Sequence, residues 1–463
     1  MRTTRLIVLA IVVAGLGAFI WFYERHQPTT EEAMKRQDKV FPTLERDRVR
    51  AVVVRNEHGA FRLERRGEDE WRLTRPAEYP AERSAVNGLL SALENLKVER
   101  RLPAGEVDLA AYGLDHPSLE AILELDDGTQ LPLRVGGETA LGSDRAVTVD
   151  GREVLLVPKW FASDLEKDLD GWRSHDVVDV YTDQVASLEI EAGSDRIQVV
   201  KDGDLWKLLE PVRDLADRDH VQALITALNG LRVEEFVDDP EAAGDLGLDH
   251  PRYRVKIVRT EGKAPVVLEF GRKREAEGKT LVACRRDGSE VFWVGDAAET
   301  PLGKAPVLWR SKVVFPFDTW DVQALVVAPA KGESVRIERR EGVWRCGDHD
   351  ADSTAVYQRL NKLARLEANG YDLAEAGTPE LGKITLELGD ADTPPEKRRK
   401  ITFTFHAPMA RGGDALVVVN ARKVRMSVSA DDARALLEDP ARLCGGSPTP
   451  TPTPAPTATP AAG

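Results

Sequence analysis

Two adjacent aspartate–histidine pairs are the residues best suited to chemistry in this chain. They stand in one motif used twice, Gly113-Leu114-Asp115-His116-Pro117 and Gly247-Leu248-Asp249-His250-Pro251. A catalytic histidine needs an orienting acid and a nucleophile or labile proton within reach. No third member of that kind stands at a matching position in both copies. Neighbouring residues in an extended segment point to opposite sides, so Asp115 and His116 are poorly placed to share a ligand. Proline biases His116 and His250 toward extended geometry, glycine admits backbone angles closed to other residues, and aspartate can bond a nearby N–H. The motif therefore reads as a turn entering a strand.

The stretch Cys346-Gly347-Asp348-His349-Asp350-Ala351-Asp352 gathers carboxylates around an imidazole. It lacks the sixth-position glycine and twelfth-position glutamate of an EF-hand loop. A polar loop ending in a helix cap is the expected reading. There is no GxGxxG after a strand, no GxxxxGK[ST], no GxSxG and no HExxH. No catalytic, cofactor-binding or metal residues are expected, and without a nucleotide loop the chain cannot power transport by itself. Cys284, Cys346 and Cys444 allow at most one disulfide and lack zinc-site spacing, so they read as buried or idle thiols.

The elements that must position these motifs come in three copies. Val40-Phe41-Pro42 leads to a strand at Val49, Val178-Asp179-Val180-Tyr181 to one at Val185, and Val314-Phe315-Pro316 to one at Val322. Trp71, Trp206 and Trp344 follow at an interval of about 135 residues, a domain-sized period rather than a solenoid one. After each tryptophan comes a helical apolar stripe: Val86, Leu89, Leu90, Leu93 and Leu96, then Val221, Leu224, Ile225, Leu228 and Leu231. The third keeps Val356, Leu360, Leu363 and Leu366 but puts Arg359 in the stripe. Asp219 and Ser353 are the expected N-caps of the second and third helices. Alternating strands follow the helix, and Trp172-Arg173-Ser174 and Trp309-Arg310-Ser311 close the first two copies. Strands, one helix and more strands define an antiparallel α+β unit whose helix packs on its sheet.

Bulk properties bound the rest. Hydrophobic content of 42% and charged content of 31% suit a folded, well-solvated protein. A net charge of -14 with no long basic run argues against nucleic acid as a partner. Arg2 and Arg5 precede the uncharged stretch Leu6 to Tyr23, near the ~20 residues needed to span a bilayer. It shows no Ala-x-Ala-like cleavage site, so a single uncleaved transmembrane helix is expected, with the N-terminus inside and the bulk extracytoplasmic. The expected organisation is a cytoplasmic N-terminus (1–5), an anchor (6–23) and a juxtamembrane linker (24–39). Three units follow (40–172, 173–310 and a divergent 311–443), and then a Pro/Thr-rich tail (444–463) that reads as a spacer.

The order of these features resembles a bacterial envelope family known as domain of unknown function 4340. The likeness lies in the Leu6–Tyr23 anchor, the Val40 lead-in, Trp71, and Tyr112 through Pro117 entering a strand. The second unit repeats it at Trp206 and Gly247–Pro251, while the third departs at Gly377–Leu381. The resemblance implies an inner-membrane, non-catalytic accessory subunit beside the ATPase and permease of an ABC-type system similar to the gliding-motility type. It supplies no catalytic residues. An envelope enzyme or glycan-binding protein acting on wall material is the alternative.

Overall fold

The computed structural model describes residues 38–445 except 68–69, 103–107, 140–141, 242–243, 374–377, 409 and 411. The anchor segment 6–23, the tail from 446 onward and Gly377 lie outside the described residues. Among the described residues no helix is long and apolar enough to cross a membrane. The chain divides into two compact units, one ending at Asp176 and one starting at Val177.

The first unit holds one nine-stranded antiparallel sheet, and the second unit holds two more of the same design. In the first repeat, Val49–Asn56, Gly59–Arg65, Trp71–Arg75 and Tyr79–Pro80 form a meander out to one edge. Helix α1 (Arg83–Glu94) then carries the chain to the opposite edge, where Arg100–Leu102 pairs. The chain returns beside the first strand at Leu119–Leu125, and three further hairpin strands fill the gap to that edge. Helices α2 (Arg218–Asn229) and α3 (Ser353–Ala364) make the same passage in the second and third repeats.

Register repeats as closely as topology. Val52 faces Leu63 on one side and Leu123 on the other, Leu188 faces Val199 and Ile257, and Leu325 faces Ile337 and Leu386. All nine are buried. Side chains alternate across a strand, so each row turns one set of apolar residues toward the helix. The helical stripes meet that face. Val86, Leu89, Leu90 and Leu93 are buried in α1, as are Val221, Leu224, Ile225 and Leu228 in α2. Each buried leucine stabilises its unit by about 1.5–3 kcal/mol relative to exposure.

The third repeat explains its own irregularity. It adds helix α4 (Ala430–Leu437), and Arg359 donates to the carbonyls of Leu436 and Glu438 at 3.1 and 2.8 Å. The arginine in the stripe thus satisfies carbonyl groups at the end of α4 that lack helical donors. The caps fall earlier than the sequence suggests. Asp217 accepts from the His220 N–H at 2.8 Å, and Asp352 from the Ala355 N–H at 3.0 Å. Both caps have extended backbone, whereas Asp219 and Ser353 already lie inside the helix.

The cysteine reading is also corrected. Cys346 and Cys444 form a disulfide, with Cα atoms 5.4 Å apart, and only Cys284 is a free, buried thiol. The bond ties strand Val343–Cys346 to the terminal turn Pro440–Cys444. Packing brings together two residues that sequence spacing leaves far apart.

Candidate functional site

Both copies of the repeated motif are turns laid against a neighbouring strand. Gly113 and Gly247 take left-handed φ values of 68° and 67°. Leu114 and Leu248 are buried in small apolar clusters. In the first repeat, Ala146 belongs to that small cluster while its neighbour Val147 belongs to the main core, so the cluster lies on the sheet face away from α1. The motif's leucine plugs that second face. Close approach is possible because glycine lines the facing strand. A Cβ on Gly136 would lie 2.1 Å from the Tyr112 carbonyl oxygen, and one on Gly271 would lie 2.2 Å from that of Leu246.

The acid–base pairs point away from this contact. His116 has a side chain 95% exposed, with its Nε2 4.0 Å from Asp115. Asp115 instead accepts the His116 backbone N–H at 2.9 Å. Asp249 and His250 are exposed as well, and Pro117 and Pro251 lead into the strands at Leu119 and Tyr253. In the stretch after Cys346, His349–Asp350 is a two-residue edge strand, Asp350 pairs with Arg345 at 3.1 Å, and Asp352 caps α3. Among the described residues no three His, Cys, Asp or Glu side chains are placed to hold a metal ion. The repeat tryptophans Trp71, Trp206 and Trp344 are buried, each in its own core.

The most concentrated polar chemistry joins the second and third repeats within the second unit. Asp214, in the edge strand Asp214–Leu215, accepts from Arg422 Nε at 2.6 Å, Arg422 Nη2 at 3.0 Å and Arg310 Nε at 2.8 Å. Arg422 also donates to the carbonyls of Ser311, Val313 and Val314 at 2.8, 2.7 and 3.0 Å. Arg310 reaches onward to Asp372 and lies over the Tyr371 ring at 4.3 Å. Burial works against the Arg310 charge, but hydrogen bonds to Asp372 and Asp214 outweigh it and raise its pKa. Hydrogen bonding to Arg310 in turn lowers the pKa of Asp372. In the first repeat, Tyr79 takes the place of Asp214 and receives the Arg173 guanidinium over its ring at 4.6 Å. Sequence reasoning missed this cluster, although the repeated Trp-Arg-Ser marks one member.

A second ionic device recurs on the sheets. Arg62 pairs with Glu64 and holds Glu124 bidentately, and Arg336 does the same with Glu338 and Glu387. Hydrogen bonding to the arginine lowers the pKa of Glu124 and of Glu387. The matching positions of the second repeat, Gln198, Val200 and Val258, carry no such charges. A cleft of about 360 Å³ in the third repeat is walled by Pro329, Leu381, Pro408, Leu437 and Pro440. Its charged lining residues mix both signs: Lys331, Arg434, Glu333, Glu438 and Asp439.

Fold and site together define a tandem-repeat α+β protein, mostly β, whose repeated motifs build turns and cores. The model of one family matches it twice, over residues 71–244 and 206–386. Both matches begin on a repeat tryptophan, and together they cover more than half of the chain. The chain therefore belongs to the family described as domain of unknown function (DUF4340). No curated protein matches the chain.

Proposed function

We propose that the chain is a membrane-anchored, extracytoplasmic, non-catalytic subunit. It scaffolds or binds partner proteins in an envelope ABC-type transport system similar to the gliding-motility type, beside separate permease and ATPase subunits. The observation that carries the reading is the Asp214 cluster. A buried ion pair adds little net stability over an apolar contact, and here Asp214 of the second repeat is held by Arg422 of the third, a link suited to keeping two repeats in register. A fixed tandem surface suits a protein that works by contact, because several weak contacts gain from high effective concentration. The disulfide supports the compartment, since such bonds persist where the surroundings are oxidising. Leu6 to Tyr23 supplies the inner-membrane anchor in this reading.

Affinity purification of the full-length chain from native membranes in detergent tests the proposal. The expected result is co-recovery of a multi-span permease and a cytoplasmic ATPase, both lost when residues 1–23 are replaced by a cleavable leader. Recovery of neither, with hydrolysis of a wall polymer by the purified chain, would establish the enzyme alternative instead.

A further inference from the structure

An aromatic ladder runs from the core of the third repeat to its surface. Trp344, 1% exposed, meets Tyr357 edge-on at 6.1 Å between ring centroids. Tyr357 meets Trp320 at 6.0 Å, and Trp320 is 65% exposed, the most exposed large apolar side chain among the described residues.

The other two repeats act as internal controls for why these rings are there. Two residues before the first strand stand Asp47, Asp183 and Trp320. One residue after the first valine of the helical stripe stand Asn87, Gln222 and Tyr357. The same fold is thus built twice in this chain with polar residues at both positions. Packing does not require the aromatic pair, and leaving an indole in water is unfavourable.

The residue that carries the indole is also held in place. The Trp320 backbone N–H donates to Asp318 at 2.8 Å, its backbone carbonyl accepts from Arg339 at 3.2 Å, and the Arg339 guanidinium lies 5.5 Å from its ring. The matching basic residues of the other repeats hold the carbonyl one position earlier: Arg65 reaches that of Arg46 at 2.8 Å, and Lys201 that of Thr182 at 3.4 Å. In the third repeat the grip falls on the carbonyl of Trp320 itself. A pre-positioned ring loses little freedom on binding.

We infer that Trp320, Tyr357 and Arg339 form a docking hot spot for a basic segment of a partner protein. This rests on the proposed function, in which the chain works through protein contacts. Tryptophan, tyrosine and arginine are the residue types that dominate interface energies. The partner's sign follows from the surroundings. Asp204, Asp318, Asp321 and Asp390 are all exposed, and burial together with the charges of the other three raises the Asp321 pKa. Carboxylates around an indole favour a lysine or arginine side chain, and Arg339 shows that the ring accepts a cation.

The test uses full-length protein in detergent and a labelled peptide of alternating lysine and leucine, read by fluorescence anisotropy. Controls are an alternating glutamate–leucine peptide and an N-acetylglucosamine tetramer. Trp320→Ala and Tyr357→Asn should each weaken lysine-peptide binding by at least about tenfold. Their thermal unfolding should match the parent, since the other repeats tolerate polar residues there. Raised salt should weaken binding further, and the acidic peptide should not bind. Undiminished binding to Trp320→Ala would overturn the site, as would Trp320-dependent binding of the tetramer alone. Purification from native membranes separates the two levels. If parent and Trp320→Ala recover permease and ATPase equally, the site is wrong and the proposed function stands. If the parent recovers neither, the proposed function fails, and Trp320-dependent peptide binding then supports the site alone.

Discussion

Arg422 and Asp214 are separated by 208 residues and meet through Nε and Oδ1 at 2.6 Å, with neither side chain exposed. The contact spans two sheets, so the second and third repeats should unfold together. Asp214→Ala would leave the buried Arg422 charge without its carboxylate, while Arg310 keeps Asp372, and breaking a buried pair in this way typically costs about 3–5 kcal/mol. Urea unfolding of this variant should show a lower midpoint for the second unit. An unchanged midpoint would mean that water reaches the cluster.

Reduction should act on the same unit. The disulfide closes a loop with a sequence separation of 98 and pins the terminal turn beside α3. Constraining an unfolded chain in this way typically stabilises by about 2–4 kcal/mol. Cys346→Ser with Cys444→Ser, or dithiothreitol on the parent, should lower the urea midpoint of the second unit by a matching amount. The first unit, which contains no cysteine, should be insensitive. A reductant effect that persists in the double serine variant would point elsewhere.

Each helical stripe is the main link between its helix and sheet. Leu93 and Leu228 have no exposed surface, so Leu93→Ala and Leu228→Ala should each cost about 2–5 kcal/mol. Because the two leucines lie in different units, circular dichroism melts should show each variant lowering a different transition. Equal loss in both transitions would mean that the units do not unfold independently.

What could be read in the sequence was local. Stripes such as Val221, Leu224, Ile225 and Leu228 follow helical spacing, and strands such as Leu119–Leu125 alternate buried and half-buried residues. Periodicity therefore located the helices and many strands, and the tryptophans set the repeat. Pairing at a distance leaves no such trace. Neither Cys346 with Cys444 nor Asp214 with Arg422 has a spacing rule, and both depend on how a completed sheet meets its neighbours. Arg359 was visible as an interruption, but its reason lies in the carbonyls at the end of α4. Trp320 was plain as a residue type. Its meaning required the structural alignment that sets it against Asp47 and Asp183.

The turn motif yields a contrast between backbone and side chain. Gly136→Ala and Gly271→Ala would push a methyl group to 2.1 and 2.2 Å from carbonyl oxygens, so backbone must move. Overpacking of this kind costs about 1–3 kcal/mol. His116→Ala and His250→Ala remove exposed side chains and should stay within about 0.5 kcal/mol of the parent. Denaturation midpoints in urea compare all four. Histidine variants as damaging as the glycine ones would show that the imidazoles make contacts the turn geometry does not require.

Acid should weaken the second unit through one buried imidazole. His220 in α2 is 3% exposed, and its ring donates from Nε2 to the Pro301 carbonyl at 3.1 Å. It also meets Trp309 edge-on at 4.2 Å. Burial, and then the charge of Lys304, lower its pKa from the ordinary 6.5, against weaker opposition from the Pro301 hydrogen bond and Asp217. Between the lowered value and 6.5 the unfolded chain binds a proton that the folded chain refuses, so stability rises with pH there. Above that window the ring is neutral in both states and contributes no slope. As pH falls through the unfolded value near 6.5 the second unit should lose stability, and the loss should level off below the folded value. Urea unfolding measured from about pH 8 to about pH 5 should show this slope in the parent, and His220→Gln should remove its share. Parallel pH profiles for parent and variant would show that His220 takes up its proton as readily folded as unfolded.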